Sequence, residues 1–144
     1  MAKGSVGMVQ RITGPVVDVL FNVEEVPEIL HALEIEVNNE VYVLEVSQHL
    51  GNGEVRCISM YPTDGISRGL KAVDTGMPIT VGVGEETLGR MVNVIGQPID
   101  MGEPINAKKR WPIHHPAPPF VDIVPSEDIL ETGIKVIDLM TPYI

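Results

Sequence analysis

Short runs of alternating apolar and polar residues fill the first 83 positions of the chain. Alternation with a period of two is typical of a β-strand that buries one face. Leu33, Ile35 and Val37 alternate with two glutamates in this way. The pattern predicts six short strands, at residues 6–12, 16–21, 33–37, 41–46, 55–60 and 77–83.

Turn-forming residues separate these runs at a spacing of roughly ten residues, which is typical of small all-β domains. Gly14-Pro15 is a strong strand breaker, and Asn38-Asn39 predicts a two-residue hairpin because asparagine accepts left-handed backbone conformations. Closing six strands into a barrel removes the exposed edges that would otherwise aggregate. The pattern therefore favours a small closed barrel over an open sheet.

Two local features of the barrel region depart from simple alternation. Val43 and Leu44 are adjacent apolar residues, which indicates either a β-bulge or a strand covered on both faces. Residues 26–33, which begin next to Pro27, predict one short helix inside the barrel region.

The residues after 83 have a different character. Residues 82–89 are rich in glycine and acidic residues and predict a turn at a domain junction. Residues 91–95 form an apolar run with three β-branched side chains, which predicts a buried strand, and residues 96–98 close it with a turn. Several prolines then enforce an extended arm that has no core of its own: Pro104, Pro112, Pro116, Pro118 and Pro119.

The end of the arm predicts one short helix, at residues 134–140, with Thr132 as its cap and Pro142 beyond its end. Residues 125–128 resemble another helix start, with Ser126 as the cap. The predicted fold is mainly β. A six-stranded closed barrel at residues 1–83 is followed, at residues 84–144, by a proline-rich arm and a short helix.

Charge and composition exclude several classes of function. The formal net charge is −10 and the isoelectric point is near 4.7, which opposes binding to nucleic acid or to an anionic membrane. The basic cluster at residues 108–110 is too small to reverse this and predicts a solvated loop. No apolar run has the ~18 residues that a membrane-spanning helix needs. The single cysteine, Cys57, lies in a strand-like run and indicates a buried thiol in a reducing compartment.

No catalytic, cofactor-binding or metal-binding set can be assembled from the sequence. A phosphate-binding loop requires Gly-Lys, and the chain contains no such pair. His114 and His115 are neighbours in an extended segment, so their side chains diverge, and no third ligand is near. His31 and His49 are isolated and indicate surface or interface residues. The adjacent acidic pairs at 24–25, 85–86 and 127–128 also diverge, and no nucleophile-elbow motif occurs.

Several motifs nevertheless resemble one known family. The junction resembles the link between the small barrel and the nucleotide domain of rotary ATPases, through Leu88, Gly89, Arg90, Asn93, Gly96, Pro98, Ile99 and Asp100. Four stretches of the barrel region resemble the N-terminal barrel of the F-type ATP synthase β subunit, at residues 14–19, 44–46 with 49–51, 55–56, and 63–66 with 68–69. Residues 113–118 and 130–143 resemble two later segments of that subunit.

The resemblance implies a role that the residues alone do not show. The barrel would pack against α-subunit barrels in an alternating ring, connected to the central stalk and the membrane sector. The intact subunit would bind MgATP or MgADP and couple ATP synthesis or hydrolysis to rotation and proton translocation. The 144 residues are then expected to be an N-terminal portion that ends before the phosphate-binding loop, and to be inactive alone. The expected location is cytoplasmic, peripheral to the bacterial inner membrane, without direct membrane insertion and without a nucleic-acid partner.

Three departures and two alternatives accompany this resemblance. Tyr61-Pro62 stands where the family usually has small residues, Cys57 where threonine is common, and His115 where arginine is frequent. The first alternative is a paralogous rotary or flagellar-export ATPase, which differs in the terminal Val-Ile-Asp-Leu and Pro-Tyr residues. The second is a free-standing barrel that binds nucleic acid or a small ligand.

Overall fold

The computed structural model describes residues 4–124 and 128–144, and its main feature is a closed antiparallel barrel. Six strands form it in the order β1-β2-β5-β4-β3-β6. Their bounds are β1 Val6–Thr13, β2 Val16–Leu20, β3 His31–Val37, β4 Glu40–Gly51, β5 Glu54–Ser59 and β6 Lys71–Pro78. The predicted six-stranded closed barrel is thus confirmed.

The alternating apolar residues meet inside this barrel, as the period-two pattern requires. Leu33, Ile35 and Leu44 are fully buried, and so are the valines of β2, β4 and β5 that face them. Cys57 is also buried in this core. Asn38 and Asn39 form the predicted two-residue hairpin, with φ angles of 52° and 68°, and β3 and β4 pair without interruption from Ala32–Glu45 to Val37–Glu40.

One prediction inside the barrel was wrong, and one of two alternatives at a second position was excluded. Residues 26–33 form no helix; a single 3₁₀ turn at Val23–Glu25 precedes them, and β3 begins at His31. The amide of Leu30 already donates to the carbonyl of Val46 at 2.8 Å, so pairing with β4 overrides the local preference. The bulge predicted at Val43 and Leu44 is absent, and β4 has its register shifts further along, after Val46 and after His49. Val43 is half-buried beside a buried Leu44, which fits the alternative of a strand covered on both faces.

The sixth barrel strand lies earlier in the chain than predicted. It is Lys71–Pro78, whose inward residues include the small Ala72 and the polar Asp74, so its alternation is weak in the sequence. Residues Thr80–Val83 instead form β7, which pairs with β8, Lys109–Pro112, in a separate two-stranded sheet. Lys109 and Arg110 are therefore in a strand and not in the predicted loop, although both are exposed, as the prediction of a solvated segment requires.

The rest of the chain contains little regular structure. Residues 91–95 are not a buried strand: Met91 is 61% exposed, and only an isolated bridge joins Val92 to Pro98. The turn predicted at 96–98 lies earlier, at residues 94–96, with Gly96 at φ 79°. Two further 3₁₀ turns are Glu85–Thr87 and Phe120–Asp122. The predicted helix start at 125–128 lies mostly outside the described residues.

The predicted terminal helix is present as α1, Lys135–Met140, although its cap differs from the prediction. The N-cap position is Ile134, not Thr132. The Thr132 hydroxyl accepts from the Ile134 amide at 3.1 Å and donates to Asp138 at 2.6 Å. The hydrogen bond from the Thr132 hydroxyl is the main cause that lowers the pKa of Asp138. Among the described residues, no helix has the length and apolar character needed to cross a membrane.

Candidate functional site

The motif residues of the barrel contact one another, although they are far apart in the sequence. The Thr63 hydroxyl donates to the Gly14 carbonyl at 2.8 Å, which joins the first turn to the loop after β5. Asp18 of β2 lies opposite Arg56 of β5 in the strand register, and Arg11 of β1 flanks Asp18 on its other side. The three charged residues form a row across the outside of three neighbouring strands.

Asp18 is the central member of this row and is only 2% exposed. Arg56 donates to its two carboxylate oxygens at 2.8 and 3.1 Å, and Arg11 lies 3.5 Å away. The hydrogen bonds from Arg56 hold the pKa of Asp18 below its ordinary value, against the opposing effect of burial. Asp18 therefore stays ionised, and the two arginines cover it. The sequence contained one indication of the contact between Asp18 and Arg56, namely that two oppositely charged residues lie in strands that pair.

A second arginine–aspartate pair fixes the junction. Arg90 donates to Asp100 through Nε at 2.6 Å and Nη2 at 3.0 Å, and Nη2 also reaches the Glu103 carbonyl at 2.8 Å. Asp100 further accepts from the Gly102 and Met91 amides. The hydrogen bond from Arg90 is the main reason that the pKa of Asp100 is strongly lowered. The two charged residues of the junction motif therefore clamp the turn between them.

A polar network ties this turn to the barrel. Asn93 accepts from the Ile95 and Gln97 amides at 3.2 and 2.8 Å and donates from Nδ2 to the Tyr61 hydroxyl at 3.2 Å. Tyr61 in turn donates to the Gln97 side chain at 2.7 Å. Tyr61 follows β5, so the junction lies against one end of the barrel. Nothing in the sequence indicated this contact, because Tyr61 is outside the family motifs.

The arm also contacts the barrel through His114. Its Nε2 lies 2.8 Å from the carboxylate of Glu45, which is mostly buried on β4. His115 points elsewhere and stacks on Trp111, with ring centroids 4.7 Å apart. The two neighbouring histidines diverge, as the sequence predicted. Across residues 4–124 and 128–144, no three His, Cys, Asp or Glu side chains are grouped so as to hold a metal ion.

The other residues that the sequence analysis singled out have structural contacts. His31 and His49 were described as isolated, but His31 lies 3.2 Å from Asp74, and His49 donates to the Pro27 carbonyl at 2.7 Å. Burial raises the pKa of the Cys57 thiol to about 12, so little reactive thiolate forms near neutral pH.

Two outer faces of the barrel differ in chemistry. The valine–glutamate face crosses β1, β6, β3 and β4, and we define it by Val6, Met8, Val73, Glu34, Glu36 and Val41. Its four apolar side chains are between 40% and 52% exposed. The arginine face lies across the barrel, on β1, β2, β5 and a nearby loop, and we define it by Arg11, Arg56, Arg68, Leu20 and Ile58. The strand order places β2 and β5 opposite β3 and β6.

The fold and the paired motif residues define a small closed β-barrel domain that is joined by a clamped turn to a second segment. Residues 9–76 match the family model of the ATP synthase alpha/beta family, beta-barrel domain. This range includes residues of all six barrel strands and both members of the Asp18–Arg56 pair. Residues 9–76 are therefore similar to the beta-barrel domain of this family.

Proposed function

We propose that this chain is the N-terminal part of the catalytic β subunit of an F-type ATP synthase. In this role the barrel would seat the subunit between α subunits of an alternating ring, which connects to the central stalk and the membrane sector. The family match supports the barrel assignment. The β-subunit motifs at residues 113–118 and 130–143 support the choice of subunit over a paralogous rotary or flagellar-export ATPase.

The observation that carries the ring-forming role is the presence of two dissimilar faces on opposite sides of one barrel. A closed ring of alternating subunits needs a different contact surface on each side of every member. The valine–glutamate face offers apolar side chains with two carboxylates, whereas the arginine face offers three guanidinium groups. Exposed apolar residues rimmed by charge are typical of protein–protein contacts.

The ATP chemistry of the intact subunit would lie outside these residues. The 144 residues contain no Gly-Lys pair and therefore no phosphate-binding loop of the known type. We assign to them the assembly of the ring and the placement of the junction that leads to the nucleotide domain. MgATP or MgADP would bind to the intact subunit, on the cytoplasmic side and peripheral to the membrane.

Co-purification with an ATP synthase α subunit tests this proposal. We expect the chain to form a complex that native mass spectrometry detects, because the two faces supply both lateral contacts. Reversing the charge of one face, with Glu34→Arg and Glu36→Arg together, is expected to weaken the complex at least ~10-fold, since like charges across an interface are costly. The matched control is Glu24→Arg with Glu25→Arg, on the 3₁₀ turn outside both faces. Failure of the unmodified chain to bind the α subunit, or equal losses in both double variants, would contradict the proposal.

A further inference from the structure

Tyr42, which also packs against the barrel core, and Tyr61 form two walls of an open cleft at one end of the barrel. The cleft has a volume of about 450 Å³ and is lined by Glu40, Val41, Tyr42, Tyr61, Pro62 and Asp64. The two rings meet edge to face, with centroids 6.5 Å apart and planes at 79°. Tyr61 and Pro62 are also the residues at which the sequence departs from the small residues of the resembled family. The cleft is therefore a feature that the proposed function does not explain.

Hydrogen bonds hold both rings in place. The Tyr42 hydroxyl donates to the Asp64 carbonyl at 3.1 Å. The Tyr61 hydroxyl donates to Gln97 at 2.7 Å and accepts from Asn93 at 3.2 Å. Each phenol is thus anchored at its polar end while its ring lines the cleft. Rings that are already ordered lose little conformational freedom when a ligand binds.

The charge around the cleft is negative. Glu40 and Asp64 are exposed and lie at its rim, and Glu40 Oε2 is 3.5 Å from the Tyr42 hydroxyl. In the described part of the chain, no lysine, arginine or histidine nitrogen lies within 4.0 Å of either carboxylate. Aromatic faces attract cations through their negative potential, and nearby carboxylates add a direct charge attraction. Together the rings and carboxylates select a positively charged group.

We propose that this cleft binds the side chain of an arginine or lysine presented by a partner protein. The cleft is open to solvent, and Val41 belongs both to it and to the valine–glutamate face, so a protein lying on that face would reach it. A long basic side chain could lay its methylene groups along Val41 and Pro62 and place its charge near the two carboxylates. This inference does not depend on which rotary ATPase subunit the chain is.

Peptide titrations of the full chain, followed through the tyrosine ring signals in NMR spectra, test this inference. The probes are a capped Gly-Arg-Gly peptide, its citrulline analogue, which is neutral and nearly the same shape, and tetramethylammonium. We expect the arginine peptide to shift the Tyr42 and Tyr61 signals with a weak Kd, on the order of 10–100 mM, because one exposed cation–aromatic contact and two exposed carboxylates together supply only about 2 kcal/mol. The citrulline peptide should bind several-fold more weakly.

Substitutions of the two carboxylates at the rim of the cleft test whether they contribute to the affinity for the arginine peptide. Glu40→Gln and Asp64→Asn should each reduce the affinity for the arginine peptide, whereas Glu24→Gln, on the 3₁₀ turn, should leave it unchanged. These substitutions are on exposed side chains, and circular dichroism would verify that each variant is folded. Equal binding of the arginine and citrulline peptides would overturn the proposal, because the cleft would then be a simple apolar groove. Tighter binding of tetramethylammonium than of the arginine peptide would also overturn it, in favour of a site for free small cations.

Discussion

Replacement of Gly53 by alanine tests how tightly the barrel closes beside the arginine face. Gly53 lies in the turn between β4 and β5, is buried and has a φ of 82°. Its carbonyl accepts from the Phe21 amide at 2.9 Å. A Cβ atom at this position would clash with the Phe21 carbonyl oxygen, and the backbone must move to relieve this contact.

The expected loss of stability has three contributions. An L-residue in the left-handed region costs about 1–2 kcal/mol. Weakening the Phe21–Gly53 hydrogen bond costs about 1 kcal/mol, and shifting the backbone at Phe21 to relieve the clash costs about 1–3 kcal/mol. We therefore expect Gly53→Ala to lower the free energy of unfolding by about 4 kcal/mol. Gly14 is the matched control, since its φ is 57° and no atom lies within 4 Å of the added Cβ. Gly14→Ala should lower the free energy of unfolding only by the backbone strain of the left-handed conformation, about 1 kcal/mol.

Urea and thermal denaturation followed by far-ultraviolet circular dichroism measure both variants. At about 2–4 °C per kcal/mol for a chain of this size, Gly53→Ala should lower the Tm by about 10 °C and Gly14→Ala by about 3 °C. Losses in the two variants that agree within about 0.5 kcal/mol would refute the reasoning, because the contact with Phe21 would then carry no cost.

Three further predictions concern the buried core, the charged row around Asp18 and the absence of a Gly-Lys pair from the sequence. Leu44→Ala should lower the free energy of unfolding, measured by urea denaturation, by about 2–5 kcal/mol. Leu50→Ala, at a partly exposed position of the same strand, should lower it by under ~1 kcal/mol. Similar losses of stability in the two variants would contradict the core assignment. The pKa of Asp18 is lowered in the folded state, so the ionised carboxylate stabilises the fold. This contribution to the free energy of unfolding is complete above the pKa of an unfolded aspartate, and it is lost as the pH falls through the folded-state pKa. Wild type should therefore lose more stability than Asp18→Asn between about pH 6 and pH 3, and parallel profiles would count against the ion cluster. Calorimetry should detect no micromolar MgATP binding to the isolated chain, and a measured Kd in that range would contradict the assignment of the nucleotide site to residues outside it.

The barrel could be predicted from the sequence because most of its strands bury one face. Leu33, Ile35 and Val37 show this alternation directly, and Asn38-Asn39 marks the hairpin. The sixth strand was placed too late because its inward residues include Ala72 and Asp74, which do not stand out as apolar. Residues Thr80–Val83 have the stronger pattern, but they pair with a strand that is distant in the sequence. Such pairing is set by tertiary structure and leaves no local signal.

The contacts of the candidate site were harder to predict than the fold. The motif around Arg90 and Asp100 was visible, but their bidentate ion pair depends on a turn that brings two residues ten positions apart into contact. The junction network through Tyr61 and Asn93 depends on where the barrel end lies, which the sequence does not state. Residues 91–95 illustrate the same limit, because their apolar run predicted burial and yet Met91 is largely exposed.

Photo-crosslinking within an assembled complex tests the central claim most directly. A photoreactive amino acid would replace Val73 on the valine–glutamate face or Leu20 on the arginine face, with Val23 on the 3₁₀ turn as the control. After assembly with the α subunit, the account predicts crosslinks to α from both faces, at two different peptides of α, and few from the control. Crosslinks from only one face, or equal crosslinking from all three positions, would contradict the claim that the barrel joins a ring through two distinct sides.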